Sequence, residues 1–467
     1  MAGLRIGGGT GYEYAYDVGF GEYDELYVTG KFQGTVDFDP GTGVDNHTAA
    51  GTDIFICKYD SRGDFLWART WGGTASYDRG LGICVAADGF YVTGAYGGTN
   101  VDFDPGAGTD FHSSYGAADM FLSKFDWDGN FLWARTWGGT SDFENCNKLT
   151  SVGSSVYVTG AFWSVNVDFD PGPGTFTRSS QGDHDIFLSK FNNNGDFQWA
   201  RFWGAGSIDR GLGVTCDESS NVYMVGCKVG NIDLDPGTGT HYHPGGGSVD
   251  PIIVKLNSTG GFVWGHSWGS SSADYGYDIK FFSNDVYITG NFQGTNVDFN
   301  PDLGVELHSS VYATDSYLQK FDKDGNFQWA RTWGGAQTGA STEAAYGVDS
   351  AGLSPSYVYV TGAFGGTNVD FDPGPGTDYH SSTGNIDGYL CSYDENGGFF
   401  YANTWGGGND SGYSVVVSDS PPGYVYVCGF FEGANVDFDP GLGVDYHSAS
   451  AYDAFLSRYF WDGPWYY

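Results

Sequence analysis

Basic residues are scarce in this chain, methionine is scarcer, and no apolar run is long enough to cross a membrane. Only 20 Lys and Arg stand against 57 Asp and Glu, a formal charge of −37. Phosphate backbones reward clustered Lys and Arg, so this balance argues against nucleic acid as a partner and disfavours anionic membrane surfaces. Apolar runs are strand-sized, such as Val415-Val416-Val417, so no transmembrane helix and no membrane insertion are expected. Residues 1–10 hold one Arg and no apolar core of signal-peptide length. Apolar spacing at a helical period is missing throughout. The seven cysteines (Cys57, Cys84, Cys146, Cys216, Cys227, Cys391, Cys428) are odd in number and form no CxxC. A disulfide framework or thiolate zinc site should recur at fixed spacing, so these read as buried single thiols.

What is abundant is glycine, 77 residues, and aromatics at 18%, together with one phrase written seven times. Each copy is close to Val-Asp-Phe-Asp-Pro-Gly, with its first aspartate at Asp37, Asp102, Asp168, Asp233, Asp298, Asp370 and Asp437. The steps between them are 65, 66, 65, 65, 72 and 67 residues. A period of this length marks a repeat architecture whose units bury their faces against neighbours. Seven units account for residues 1–467, so a single domain is expected.

Residues 79–139 show how one unit reads. Arg79 to Ala87 is small and apolar, suiting a strand crowded near an axis, and Asp88-Gly89 is a two-residue hairpin signal. Phe90 to Tyr96 alternates as a second strand. A long loop, Gly97 to Ala118, carries the repeated phrase, and Asp119 to Asp126 alternates again. After the turn Trp127-Asp128-Gly129-Asn130, Phe131 to Trp137 is a fourth strand. Four antiparallel strands per unit, seven times over, predict an all-β, seven-bladed β-propeller.

The pattern D-x-F-L-x-K-F-D-x-x-G-x-F-x-W-A-R-T-W-G-G, followed by V-Y-V-T-G, resembles the bacterial seven-bladed β-propeller repeat family (SBBP repeats) over essentially the whole chain. That resemblance implies an extracellular or cell-surface setting and, for most members, no assigned activity. The long loop with its repeated phrase and His is more elaborate than the family consensus, so the resemblance leaves the loop's role open. Ring closure is also readable. The chain ends with Trp461-Asp462-Gly463-Pro464-Trp465-Tyr466-Tyr467, matching Trp127 to Trp133, and begins with Gly3-Leu4-Arg5-Ile6-Gly7-Gly8, matching Ala134 to Gly139. Two half-strands paired into one blade would remove the exposed edges.

Three acidic positions recur. The first is Asp37, Asp102, Asp168, Asp233, Asp298, Asp370 and Asp437, and the second is Asp39, Asp104, Asp170, Asp235, Asn300, Asp372 and Asp439. The third opens the next strand: Asp53, Asp119, Asp185, Asp250, Asp315, Asp387 and Asp453. Residues i and i+2 of an extended segment point the same way, so each pair can aim two carboxylates at one point. Hard oxygen ligands in a Gly-rich loop would suit Ca²⁺. Against this stands a purely structural reading, in which Asp before Pro-Gly makes Asx-turns and satisfies loop amides.

Six histidines sit in register at His47, His112, His243, His308, His380 and His447, with Arg178 in the third copy. Arg cannot be a ligand or base, so loop hydrogen bonding is the better reading of this position. The W-A-R-T-W strand puts Trp67, Arg69 and Trp71 on one face, a stripe better suited to packing between blades than to sugar stacking. No nucleophile motif of the GxSxG kind is read, no Cys/His pairing recurs and no phosphate loop is present, so no catalytic residue is assigned. The irregular units are repeat four, with its His-Tyr-His-Pro loop, and repeat six, with the insertion Gln337 to Ala345.

The reading is a non-enzymatic extracellular module for binding or assembly, taking a protein or glycan ligand on its loop face. A structural subunit of a surface layer or filament, self-assembling by strand exchange, is the first alternative. A carbohydrate-active enzyme with carboxylates in the axial channel is the second.

Overall fold

The computed structural model describes every residue except 1, 6, 22–23, 76, 141–142, 244–245, 337–342, 353–356, 419–422, 440–442 and 461–467, and the side chains of 2–5 and 336. Seven four-stranded antiparallel blades form a ring, with no helix among the described residues. Blade one is Tyr14–Phe20, Leu26–Asp37, Asn46–Tyr59 and Phe65–Trp71. Blade two is Arg79–Ala86, Gly89–Tyr96, Asp119–Phe125 and Phe131–Trp137, within a residue or two of the strands read from sequence. Blades three, five and six repeat this over 145–203, 275–336 and 344–405, and blade four is Arg210–Cys216, Val222–Lys228, Asp250–Leu256 and Phe262–Ser267.

Blade seven closes the ring. Its strands Ser411–Val417, Tyr424–Glu432 and Tyr452–Phe460 take Ala2–Arg5 as their outer member, with Leu4 opposite Leu456. The N-terminal half of the expected split strand is therefore in place, and the outer position is filled from within the same chain. The C-terminal half, 464–467, lies outside the described residues.

First strands line the axis, each lying against the first strands of the blades on either side. Middle strands such as Gly89–Tyr96 and Asp119–Phe125 are buried along their whole length, because a neighbouring blade covers each face. The core is accordingly shared between blades. Ile54, Ile56 and Trp71 of blade one pack with Ile83, Phe90 and Phe121 of blade two. At the seam, Val28 and Phe55 pack with Tyr426 and Leu456 of blade seven.

A latch repeats from blade to blade at the outer edge. The third-strand lysine of one blade donates to a carbonyl in the following blade's outer turn: Lys58 to Trp127 (3.0 Å), Lys190 to Ser258 (2.9 Å), Lys255 to Lys323 (2.8 Å) and Lys320 to Glu395 (2.9 Å). The arginine of W-A-R-T-W lies over its neighbouring indole, 4.9 Å for Arg69 on Trp67, and its counterparts reach the same turns, as Arg201 does to Gly260 (2.8 Å). The turn glycine itself sits flat on that indole: Gly129 has φ +76°, and a Cβ there would lie 2.8 Å from Trp67. The Trp–Arg stripe is thus an inter-blade surface, as expected. At the seam Arg458 takes the lysine's place and donates to the Arg62 carbonyl (2.7 Å).

This packing separates two glycine substitutions. Gly153, at φ +56°, has nothing within 4 Å of a built Cβ, so Gly153→Ala meets only the left-handed penalty, about 1–2 kcal/mol. Gly129→Ala adds a clash with Trp67, about 1–3 kcal/mol more. Chemical denaturation of both variants should show Gly129→Ala the more destabilised; equal losses would remove the latch from the account.

Candidate functional site

The loop between second and third strands folds back as a two-residue hairpin, such as Val101–Asp102 against Phe111–His112, where the sequence predicts only a long loop. Its Val101 and Phe103 are buried beneath it. Asp102 Oδ1 accepts the amides of Asp104 (3.1 Å) and Asp110 (2.8 Å), and Asp104 Oδ1 accepts Gly106 N–H (2.8 Å). The same bonds recur at Asp37 and Asp39, Asp168 and Asp170, Asp233 and Asp235, Asp298 and Asn300, and Asp370 and Asp372. At Asp437, Oδ1 accepts the Asp439 and Asp445 amides in the same way. These are Asx-turn bonds, and they account for each loop's shape. Among the described residues no group of three or more His, Cys, Asp or Glu is arranged around a common metal position.

The third aspartate has a different neighbourhood. Asp53, Asp119, Asp185, Asp250, Asp315, Asp387 and Asp453 are all buried at the junction with the next blade. Their companion is an acid that the sequence reading missed, immediately before each first strand: Glu13, Asp78, Glu144, Asp209, Asp274, Glu343 and Asp410, every one buried. Its recurrence in all seven units at one register was the available signal. The two carboxylates flank the first glycine of W-G-G. A Cβ on Gly72 would lie 2.6 Å from Asp53 Oδ1 and 2.9 Å from Asp78 Oδ2, and one on Gly138 would lie 2.6 Å from Asp119 Oδ1 and 2.7 Å from Glu144 Oε2. Backbone amides hold the missed acid, Gly73 and Gly97 donating to Asp78 at 2.6 and 2.7 Å. Burial pushes Asp53 and Asp119 up to about 6, and Asp78, Asp185, Asp315 and Asp410 up to about 7. The facing carboxylate adds to the rise at Asp78, Asp185 and Asp410.

On the outer side, the hairpin histidine is strapped to the outer strand. His112 Nδ1 meets Thr136 Oγ1 (2.9 Å) and its Nε2 meets Asp110 (3.2 Å). His47, His308 and His380 repeat both contacts. These are loop-fastening bonds, as the register reading expected. Between adjacent blades the strap borders a groove. The one between blades two and three has a volume of about 1060 Å³ and is lined by His112, Tyr115, Trp133, Arg135, Asp170 and Phe197. The residue just before the histidine points outward. Phe111, Tyr242, Tyr379 and Tyr446 are each 58–60% exposed, a repeated display of aromatic rings that the sequence reading also missed.

Blade four departs from the pattern. His241 stands where five of the other repeats carry Asp or Glu, and His266 where blades one, two, three and five carry Arg. His243 Nε2 lies 3.1 Å from His241 Nε2, and His266 is 6.0 Å from His243 between ring centroids. Burial first, then His241, His266 and Lys228, pushes His243 down to about 4; burial also lowers His266. Gly265-His266-Ser267-Trp268-Gly269 has the GxSxG spacing of a nucleophile elbow, which corrects the reading that the sequence holds no such motif. Ser267 nonetheless ends a regular outer strand, and its hydroxyl donates to the Pro251 carbonyl (3.0 Å).

The axis is also asymmetric. One position of the seven first strands reads Asp17, Gly82, Lys148, Gly213, Asp278, Gly347 and Ser414 around the ring. Lys148 crosses to Asp17 (2.6 Å), which also accepts from Ser414 Oγ (2.7 Å). Burial opposes the Lys148 charge, yet Asp17 and Asp278 outweigh it and raise its pKa. Both axial carboxylates, Asp17 and Asp278, act on Lys148.

No family model matches the chain. It is 24% identical over 265 residues to an uncharacterized WD repeat-containing protein of Acanthamoeba polyphaga mimivirus, covering 50% of this chain and 19% of that protein. It is 30% identical over 167 residues to the regulatory protein FlaEY of Caulobacter vibrioides, covering 34% of this chain and 17% of that protein. The chain spans less than a fifth of the length of these curated relatives. Among solved structures, a neuraminidase-like protein of A/little yellow-shouldered bat aligns with TM-score 0.35 at 8% identity, over 80% of this chain and 93% of that one. The phage phi92 endosialidase aligns with TM-score 0.37 at 12% identity, over 99% and 70%. Neither score carries an argument about activity. The WD repeat relative agrees with a protein built of propeller repeats.

The junction acids set a pH dependence. Their folded pKa values are raised, so the stability they contribute is complete below the ordinary carboxylate range and is lost as pH rises through about 6 to 7. The lowered histidines His243, His266 and His308 have the opposite sign and act only below their ordinary value of 6.5. The melting temperature should therefore fall by several degrees between pH 6 and pH 8, and Asp78→Asn should shrink that fall. A melting temperature constant across this window would contradict the buried acid pairs.

Proposed function

We propose that this protein is a non-enzymatic binding and assembly module of the SBBP-repeat kind, working outside the cell or at its surface. Its ligand is a repeated glycan taken on the loop face. The observation that carries the reading is the set of equivalent exposed rings, Phe111, Tyr242, Tyr379 and Tyr446, each one residue before a hairpin histidine, of which His112 lines a groove with Trp133, Arg135 and Asp170. Flat rings next to hydrogen-bonding side chains suit sugar faces and hydroxyls. Repetition around a ring lets weak contacts add by multivalency. The formal charge of −37 selects neutral or amino-sugar polymers over acidic ones. The acid pairs and straps recur from blade to blade, whereas a catalytic centre needs one asymmetric, desolvated arrangement.

Calcium belongs to the same proposal. The negative charge draws divalent cations to the loop face, and the double-Asp loops keep partly exposed carboxylates there. Bound ions would stabilise the native state by mass action.

Two experiments test these readings. On a glycan array, wild type should bind neutral or amino-sugar polymers. Replacing Phe111, Tyr242, Tyr379 and Tyr446 together by Ser should weaken that binding about 10-fold or more while leaving the melting temperature nearly unchanged. Undiminished binding by the fourfold variant would overturn the proposed face. In thermal unfolding, millimolar calcium should raise the melting temperature over EDTA, and Asp102→Asn/Asp104→Asn should reduce the rise. Identical curves in all four conditions would leave the loops as hydrogen-bonded turns alone.

A further inference from the structure

The first strands do not present the same groups at the end of the axial channel where they begin. Each carries a β-bulge at one level: Ala15 lies opposite Gly30 and Asp17 opposite Thr29, leaving Tyr16 as the extra residue. The same register shift recurs in the other six blades. A bulge re-aims the side chain it inserts. That residue is tyrosine in blades one, five, six and seven, and Leu or Asn in blades two to four. The tyrosine rings touch from blade to blade. Between centroids, Tyr16 is 5.6 Å from Tyr413, Tyr413 is 5.6 Å from Tyr346, and Tyr346 is 5.1 Å from Tyr277. They form a half-buried aromatic arc around part of the channel mouth, one residue before the level of Asp17 and Lys148.

One end of the arc is cationic. Lys31 Nζ lies 4.6 Å from the centroid of Tyr14 and 5.9 Å from that of Tyr16. Arg79, on the next first strand, donates from Nη2 to Asn145 Oδ1 (2.8 Å), and its Nε is enclosed with no acceptor. Burial first, then the Arg79 charge, lowers the Lys31 pKa, so the two cations act on each other. Among the described residues neither is paired with a carboxylate, whereas Lys58, Lys148 and Lys280 are. The acids around them are engaged elsewhere. Asp17 accepts from Lys148 and Ser414, and Glu432, which bears on Tyr14, accepts from Asn409 (2.6 Å). Two partly buried like charges without a counter-charge are costly, and here they stand in a chain of formal charge −37.

We infer that the channel mouth binds a small molecule carrying a single carboxylate on a ring, the carboxylate held by Lys31 and Arg79 and the ring laid against the tyrosine arc at Tyr14 and Tyr16. Hydrogen bonds between a carboxylate and a guanidinium or ammonium are the strong, charge-assisted kind. Tyrosine offers the ring an apolar face and the rest of the ligand a hydroxyl. The charge of the whole chain opposes polyanions, so the ligand carries one negative charge and is small. A sugar acid and an aromatic acid share this chemistry, and the choice of probes separates them. This site is distinct from the outward rings of the hairpins and stands whether or not those bind glycan.

Calorimetric titration of the full chain with glucuronate and with 4-hydroxybenzoate, each beside its neutral counterpart glucose or 4-hydroxybenzamide, tests the inference. At least one acid should bind saturably, with its neutral counterpart about 10-fold weaker or more, and the acid that binds identifies the ring. Lys31→Gln and Arg79→Gln should each lower that affinity about 10-fold or more. Arg62→Gln, which removes an exposed guanidinium paired with Asp60, should leave it unchanged. Arginine Nε–H NMR signals read the site in the wild type, without relying on a variant's fold. The Arg79 signal should shift when the acid is added, and those of Arg201 and Arg331, whose Nε atoms donate to Gly260 and Gly397, should not. No saturable binding of either acid, equal affinity for the neutral counterpart, full affinity in both variants, or shifts spread over all arginines would each overturn the site.

Discussion

A glycine turn pressed onto the indole of the preceding blade is the contact on which the rest of the ring depends. It lets the outer turn of one blade come close enough for the neighbour's arginine and lysine to reach its carbonyls. Gly129 on Trp67, with Lys58 donating to Trp127, shows the set complete. Further in, the acid before each first strand ties the W-G-G segment leaving one blade to the end of the next blade's second strand through backbone amides, as Gly73 and Gly97 do on Asp78. Both devices act between blades and not within them. A single blade has both faces of its middle strands apolar, so it gains most of its stability only when neighbours cover it.

These two devices also explain the unusual composition. Glycine is needed at the outer turns, where φ is positive, and at the W-G-G junctions, where a Cβ would meet two carboxylates. Much of the acidic excess is structural, spent on Asx-turns and buried junctions. Burying so many carboxylates costs solvation, and a proton retained by the junction pairs lowers that cost. The few lysines and arginines are concentrated on the latches and the axis. A protein with this charge balance has little cation to spare for an anionic partner.

The repeat, its four strands and the N-terminal half of the closing strand were legible in the sequence because each depends on local order and fixed spacing. Arg79–Ala86 and Phe131–Trp137 fall where the alternation and turns put them. The hairpin folded inside each loop was not legible, since two-residue strands such as Val101–Asp102 have no periodicity to read. The acid before each first strand was visible as a recurring letter, but its partner lies about 25 residues upstream and only the W-G-G geometry joins them. The axial alternation of Asp17, Gly82, Lys148, Gly213 and Asp278 is meaningless until the ring brings blades one, three and five around one channel. His241 and His243 are visible in the sequence as the His-Tyr-His-Pro loop, whereas His266 comes near His243 only through the outer strand.

Repetition here builds the ring, and departures from repetition mark where individual chemistry can sit. The central claim beneath both statements is that the blades form one closed, mutually latched unit. Native-state hydrogen exchange at the junction amides tests it directly, using those of Gly73 and Gly97 on Asp78, Ala205 and Val229 on Asp209, Ser270 and Gln293 on Asp274, and Glu432 on Asp410. A closed ring predicts that these amides share one opening free energy and exchange together as denaturant is added. A junction that opens on its own, well below the others and without change elsewhere, would contradict the account.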